Sequence, residues 1–165
     1  MKKRVERKKS INWKVLIISL ILVYLAGFIG GLFASQGSNS SWYNSIKPEI
    51  TPPNIIFMLV WNILYLFIAL SLYFAWTGTK DHLQKNSLMI SFGENIILLT
   101  LWSIVFFGIN NIVLGLFNIF LIWISVCVMI FITWKINKKS SYLLIPYFLW
   151  VTFATYLNYL FLINI

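Results

Sequence analysis

Trp42 to Trp76 reads WYNSIKPEITPPNIIFMLVWNILYLFIALSLYFAW, a polar aromatic opening that passes through three prolines into an apolar helix. Pro48 biases Lys47 towards an extended conformation, because its ring crowds the preceding residue. Pro52 and Pro53 sit where a helix tolerates proline, at its first turn. Thr51 is then the expected N-cap. Asn54 to Trp76 contains no charge, glycine or proline. That run is about 23 residues, or roughly 35 Å of helix, enough to cross an apolar bilayer core of about 30 Å. Two readings of the opening stand side by side. It is a lid over a helix mouth, or an aromatic belt at the membrane surface.

The rest of the chain has the same character. Of its 165 residues 60% are hydrophobic and 10% charged, and eight are tryptophan. A soluble domain of this size needs far more polar surface, so the composition indicates an integral membrane protein. The net charge is +9, but seven of the thirteen Lys and Arg lie in residues 1–14, MKKRVERKKSINWK. A basic tail beside a membrane span explains them, and nucleic acid is not an expected partner. Cys127 is the single cysteine; it reads as a small core residue, with no disulfide and no metal cluster.

Residues 1–14 form the cytoplasmic tail and 15–165 the membrane domain. Spans are expected at about 15–34, 54–76, 86–107, 112–134 and 142–163. Gly27 with Gly31, and Ala26 with Gly30, place small residues one helical turn apart in the first span. They serve close packing or ligand access. Thr77 to Lys85 is expected as a charged loop, with His82 solvated in it. Gly108, Asn110 and Asn111 signal a tight turn, and Pro146 falls early in the fifth span. The tail and the second and fourth connections carry seven, two and three Lys/Arg, while the first connection has only Lys47. The positive-inside rule then places the N-terminus in the cytoplasm, the C-terminus outside, and the Trp42–Pro53 loop on the outer face.

Polar and aromatic residues recur at helical spacing within the spans. Ser91, Asn95, Leu99 and Trp102 share one stripe of the third span, and Tyr147, Trp150, Ala154 and Asn158 one of the fifth. Trp61 and Tyr65 are one turn apart in the second. Such stripes either enclose a flat, mostly apolar pocket or form a core with hydrogen bonds between helices. Glu94 lies about 12 Å into the third span. An intramembrane carboxylate is a functional candidate, an interfacial group if the span starts later, or a protonated one. It is expected to face another protomer or the bundle interior. No serine–histidine arrangement, phosphate loop, metal-ligand cluster or carboxylate pair is present, so no catalytic residue is assigned and no cofactor is required.

Several motifs in order resemble the TspO/MBR family of tryptophan-rich sensory proteins and translocator proteins. Gly27-Phe-Ile-Gly-Gly resembles its glycine-rich first helix. Trp42-Tyr43, Lys47-Pro48 and Pro52-Pro53 resemble its W-Y…K-P-x-W-x-P-P loop. Trp61 and Leu64-Tyr65 resemble W-x-x-L-Y, and Trp102 with Phe106-Phe107-Gly108 resembles W-x-x-x-F-F-G. Pro146-Tyr147, Trp150, Phe153-Ala154-Thr155 and Leu157-Asn158 resemble P-Y-x-x-W-x-x-F-A-T-x-L-N.

The resemblance implies an all-α bundle of five transmembrane helices, a homodimer in a prokaryotic cytoplasmic membrane, and a first loop closing over a ligand pocket. It implies a receptor or sensor for porphyrins such as protoporphyrin IX, haem-pathway tetrapyrroles and related flat apolar molecules. A light-dependent porphyrin-degrading photo-oxidase and a transporter of tetrapyrroles or sterols are the alternatives. The pocket carries over to Tyr43, Trp61, Asn95, Trp102, Trp150 and Ala154, and the stripes add Tyr65, Leu99 and Tyr147. Trp61 and Trp150 are the redox candidates and are expected to meet in one pocket. The chain departs from the pattern at Ile50, Leu99, Thr100 and Asn118, which stand where the family carries Trp, often Asn, Trp and an acid. Tyr156 and Tyr159 are followed by no basic residue, so sterol recognition through the family's proposed motif is unsupported.

Overall fold

The computed structural model describes residues 11–165. Residues 1–10, most of the basic tail, lie outside the described part. Every regular element among the described residues is a helix: α1 (Trp13–Gly37), α2 (Ser41–Ile46), α3 (Asn54–Gly78), α4 (His82–Ser103), α5 (Ile112–Ile136) and α6 (Lys138–Ile163). A π-helical segment, Ile104–Gly108, continues α4. Five helices, all but α2, are long and apolar enough to span a membrane. Each packs on two main neighbours, giving the closed order α1, α3, α6, α5, α4 and back to α1.

The helices outrun the apolar spans, because polar caps carry them beyond the hydrocarbon. Asp81 accepts from the N–H groups of Leu83 and Gln84, at 2.7 and 3.3 Å. That begins α4 at His82, so most of the expected Thr77–Lys85 loop is helical. Asn137 is both the last cap of α5 and the first of α6, and its Oδ1 accepts from Lys139 N–H at 3.0 Å. Pro146 therefore lies inside α6 rather than at its start. At the other boundary the expected N-cap is corrected. Pro53, not Thr51, caps α3, and its carbonyl accepts from Ile56 and Phe57 at 2.9 and 3.1 Å. Pro53 keeps Pro52 out of helical conformation, so the helix starts only after both. Thr51 instead closes a turn on the Pro48 carbonyl at 3.0 Å. Lys47 is extended, with ψ 121°, as the proline after it requires.

A cluster of polar ties between helices lies at the end of the bundle remote from α2. Ser71 and Ser140 share a buried hydroxyl pair at 2.8 Å, and Ser140 donates to the Ser71 carbonyl at 2.6 Å. Asn137 Nδ2 donates to the Phe74 carbonyl at 3.2 Å, and Ser141 to that of Ile130 at 3.0 Å. On the cavity side the Tyr24 hydroxyl donates to the Asn62 carbonyl at 3.0 Å, and the ties nearest α2 are long. Asn54 reaches Ser38 at 3.5 Å and Asn164 reaches the Ile46 carbonyl at 3.4 Å.

Glu94 is exposed on the outward face of α4, beside Ile90 and Ile97, and does not enter the bundle interior. Asn95 takes the inward position next to it. Cys127 is half-buried on α5.

Candidate functional site

The site is built where α2 meets the end of the ring. Ser40 caps α2, its Oγ accepting from Tyr43 N–H at 3.1 Å, and this cap turns Tyr43 into the bundle. Tyr43 is buried against Phe161 and Phe107, with ring centroids 5.1 and 5.7 Å away. Burial pushes its phenol up to about 12, so it is a neutral O–H at any physiological pH. Trp42 packs edge-on against Phe106 at 5.9 Å. The loop helix therefore covers the bundle, as a lid would.

The π segment supplies the other half of this roof. Its wider turn, closed by Ile109 N–H on the Ile104 carbonyl at 2.9 Å, brings Phe106 and Phe107 both beneath α2. Phe106 stacks on Trp102, 5.4 Å away and tilted by 15°. π-bulges of this kind gather at functional sites. Asn110, with φ 57°, makes the turn into α5; asparagine tolerates that left-handed conformation.

A cavity of about 380 Å³ lies between α1, α3 and α4 under the loop. Its floor is Trp61, Tyr65, Leu99, Trp102 and Phe107, with Tyr43 above. Ser35, Ser38, Asn39, Asn54 and Asn62 give it a polar rim. Gly31, Met58 and Asn62 line it and are also exposed, so it opens on the outside of the bundle between α1 and α3. The volume is within the range of small-molecule sites. No charged side chain lines it. The glycines divide their roles here. A Cβ at Gly27 would strike the Tyr65 ring, and one at Gly30 would lie 2.9 Å from Ser103 Oγ, whereas one at Gly31 would meet nothing within 4 Å. Packing and access are both served, by different residues.

A second, smaller space of about 20 Å³ lies among α2, α3, α4 and α6. Tyr43, Phe57, Trp102 and Phe107 line both it and the larger cavity, and Ala154, Asn158 and Phe161 line its far side.

Of the nine expected site residues, Trp61, Tyr65 and Leu99 line the large cavity, Ala154 the small one, and Tyr43 and Trp102 both. Asn95, Tyr147 and Trp150 line neither. Asn95 is fully buried; it donates to Ser125 Oγ at 2.7 Å and accepts from Tyr147 O–H at 3.1 Å. This chain joins α4, α5 and α6 and leaves the amide occupied by protein. Trp150 packs on Phe57 at 5.3 Å, whereas Trp61 packs on Tyr65 at 5.6 Å and Tyr147 at 6.3 Å. Trp61 lines the large cavity and Trp150 lines neither of the two. The buried stripe of α6 runs through Tyr147, Val151, Ala154 and Asn158, which leaves Trp150 on its shoulder facing α3. Phe57, Phe107 and the polar rim are lining residues that the sequence reading missed. Phe57, one turn before Trp61, carried a usable signal; the rim did not.

The geometry is matched by the company the sequence keeps. Residues 19–163 match the model of the TspO/MBR family. The chain is 37% identical to a tryptophan-rich protein TspO of Archaeoglobus fulgidus, over 90% of this chain and 96% of that one. It is 31% identical to protein CrtK of Rhodobacter capsulatus, over 86% and 90%. It is 26% identical to the human translocator protein, over 82% and 80%. The chain belongs to the TspO/MBR family and is an integral, multi-pass membrane protein.

Proposed function

We propose that this TspO/MBR protein is a membrane receptor for flat, mostly apolar ligands, porphyrins among them, held in the cavity between α1, α3 and α4. The observation that supports this is the cavity itself: an uncharged aromatic floor of Trp61, Tyr65 and Trp102 beneath the buried Tyr43. Aromatic rings offer stacking surface to a planar π-system, and the rim amides suit its polar edge. The test is a titration of the purified protein with protoporphyrin IX, followed by tryptophan fluorescence in the dark. Saturable quenching is expected. Gly31→Phe should keep the fold, since a Cβ there meets nothing within 4 Å, and should weaken binding at least about tenfold by filling the cavity. Unchanged affinity in a folded Gly31→Phe protein would move the ligand elsewhere. New absorbance bands under illumination, dependent on Trp61, would favour porphyrin breakdown over binding alone.

The same proposal places the N-terminus in the cytoplasm and α2 on the outer face, on the charge asymmetry of twelve Lys/Arg against one. A reporter fused to the C-terminus should be active only outside the cytoplasm; activity inside overturns the orientation. A homodimer through the outward face of α4 would cover Glu94. An uncovered charge at mid-membrane costs about 2.5–3.5 kcal/mol on insertion scales. Glu94→Gln should then alter the dimer fraction seen by light scattering and leave ligand affinity unchanged. An unaltered dimer fraction removes α4 from the interface.

A further inference from the structure

The end of the bundle remote from α2 carries positive charge at the junction of α5 and α6. Lys135, Lys138 and Lys139 stand on either side of Asn137, the single residue between the two helices. Asn137 caps both helices and donates to the Phe74 carbonyl of α3 at 3.2 Å, so the three lysines stand on a held corner and not on a loop. All three are exposed. Neither α5 nor α6 contains an acid. Lys138 and Lys139 also fall in the first turn of α6, where the helix dipole is itself positive and disfavours cations. The corner therefore repels itself until an anion joins it.

The aromatic side of the corner fixes its depth. Lys135 Nζ lies 4.0 Å from the centre of the Phe131 ring, and Lys138 Nζ 5.3 Å from that of Trp134. Trp134 meets Tyr142 edge-on at 5.5 Å. All three rings are exposed. Exposed tryptophan and tyrosine at the ends of membrane-spanning helices sit at headgroup level, with lysine stems laid along apolar surface and their amines at the water. A soluble acidic partner would leave the rings unused. A phospholipid uses both parts, its phosphate against the amines and the upper part of its chains against Trp134 and Tyr142.

We propose that the α5–α6 corner binds the headgroup of one anionic phospholipid. A zwitterionic lipid is a poor occupant, because its own ammonium has the sign of the three lysines. The corner lies at the opposite end from the cavity and does not depend on the receptor reading. For the test, the full-length protein in nonionic detergent is mixed with equal amounts of dioleoyl-phosphatidylglycerol and dioleoyl-phosphatidylcholine, and the retained lipid is weighed by native mass spectrometry. The first lipid retained should be phosphatidylglycerol at least about fivefold more often, the effect of one lysine engaged at an anionic lipid surface. Lys135→Gln/Lys138→Gln/Lys139→Gln should bring the ratio close to one. Lys14→Gln/Lys80→Gln/Lys85→Gln removes the same charge from the same end of the bundle and should keep the preference. Should the corner variant melt below the parent, Lys138→Gln and Lys139→Gln are measured singly and each should lower the ratio. No preference in the parent protein, a preference kept by the corner variants, or equal loss in both triple variants overturns the proposal.

Discussion

Asn95→Leu should be the most damaging single change within the spans, lowering stability by about 2 kcal/mol, the sum of two interhelical hydrogen bonds at membrane values. The amide is fully buried and holds Ser125 of α5 and Tyr147 of α6 at once. Leucine is close in volume, so packing is nearly kept and the loss is polar. It strands the Tyr147 hydroxyl, which has no other partner among the described residues, whereas Ser125 can still donate to the Ile122 carbonyl at 2.7 Å. Tyr147→Phe should therefore cost about 1 kcal/mol, and the double variant little more than Asn95→Leu alone, because both changes remove the same bond. Thermal unfolding of the three variants in detergent checks this. Full additivity would mean that the two side chains do not interact.

Gly37→Val is expected to act through backbone rather than hydrogen bonds. A Cβ at Gly37 would stand 2.6 Å from Phe107 Cβ and 2.9 Å from the Phe107 carbonyl oxygen. Neither is the end of a flexible side chain, so α1 and the π segment must separate. Overpacking of this kind costs about 1–3 kcal/mol. The damage should spread, because the Gly37 carbonyl accepts from both the N–H and the hydroxyl of Ser40, at 3.0 and 2.7 Å, and Ser40 caps α2. Moving Gly37 thus loosens the element that buries Tyr43. We expect Gly37→Val to lower the melting temperature by about 4–10 °C and to weaken protoporphyrin IX quenching as well. Gly31→Ala, with nothing near its Cβ, is the control and should be silent in both measurements.

Ala154 calls for a different use than its position in the sequence suggests. A bulky residue there reads as a steric block in an open pocket that leaves the fold intact. Ala154 is 3% exposed and lines the small space, so Ala154→Phe would overpack the core under α2. Gly31 is the position at which bulk tests the cavity and not the fold.

What the sequence made legible follows from periodicity. The α4 stripe of Ser91, Asn95, Leu99 and Trp102 is buried as its spacing requires, since four positions at helical intervals, three of them polar or aromatic, leave one phase only. The five spans follow from apolar length. The same logic faltered at Trp150, where Tyr147 and Ala154 are seven apart and either Trp150 or Val151 can fill the middle of the stripe; Val151 does. Ser41–Ile46 is too short for any period to declare it a helix. The π segment had no signal at all, because one extra residue in a turn is a property of packing and not of composition. The cavity opening between α1 and α3 escaped for a related reason: Gly27 and Gly31 look alike in sequence, and only the position of Tyr65 separates the contact from the gap.

The uneven placement of interhelical ties gives the bundle two mechanical ends. Opening α3 from α6 near Ser71 and Ser140 means exposing a buried hydroxyl pair and a donated carbonyl together. Opening α1 from α3 means giving up only exposed bonds, the Asn54–Ser38 contact at 3.5 Å and the bond from the Tyr24 hydroxyl to the Asn62 carbonyl at 3.0 Å. Local opening free energies follow such differences. The backbone amides of Asn54–Met58 should therefore exchange with solvent sooner than those of Ala69–Tyr73, an order that hydrogen exchange checks. If the proposed ligand enters between α1 and α3, it passes the more weakly tied part of the bundle, while the far end ties α3, α5 and α6 together.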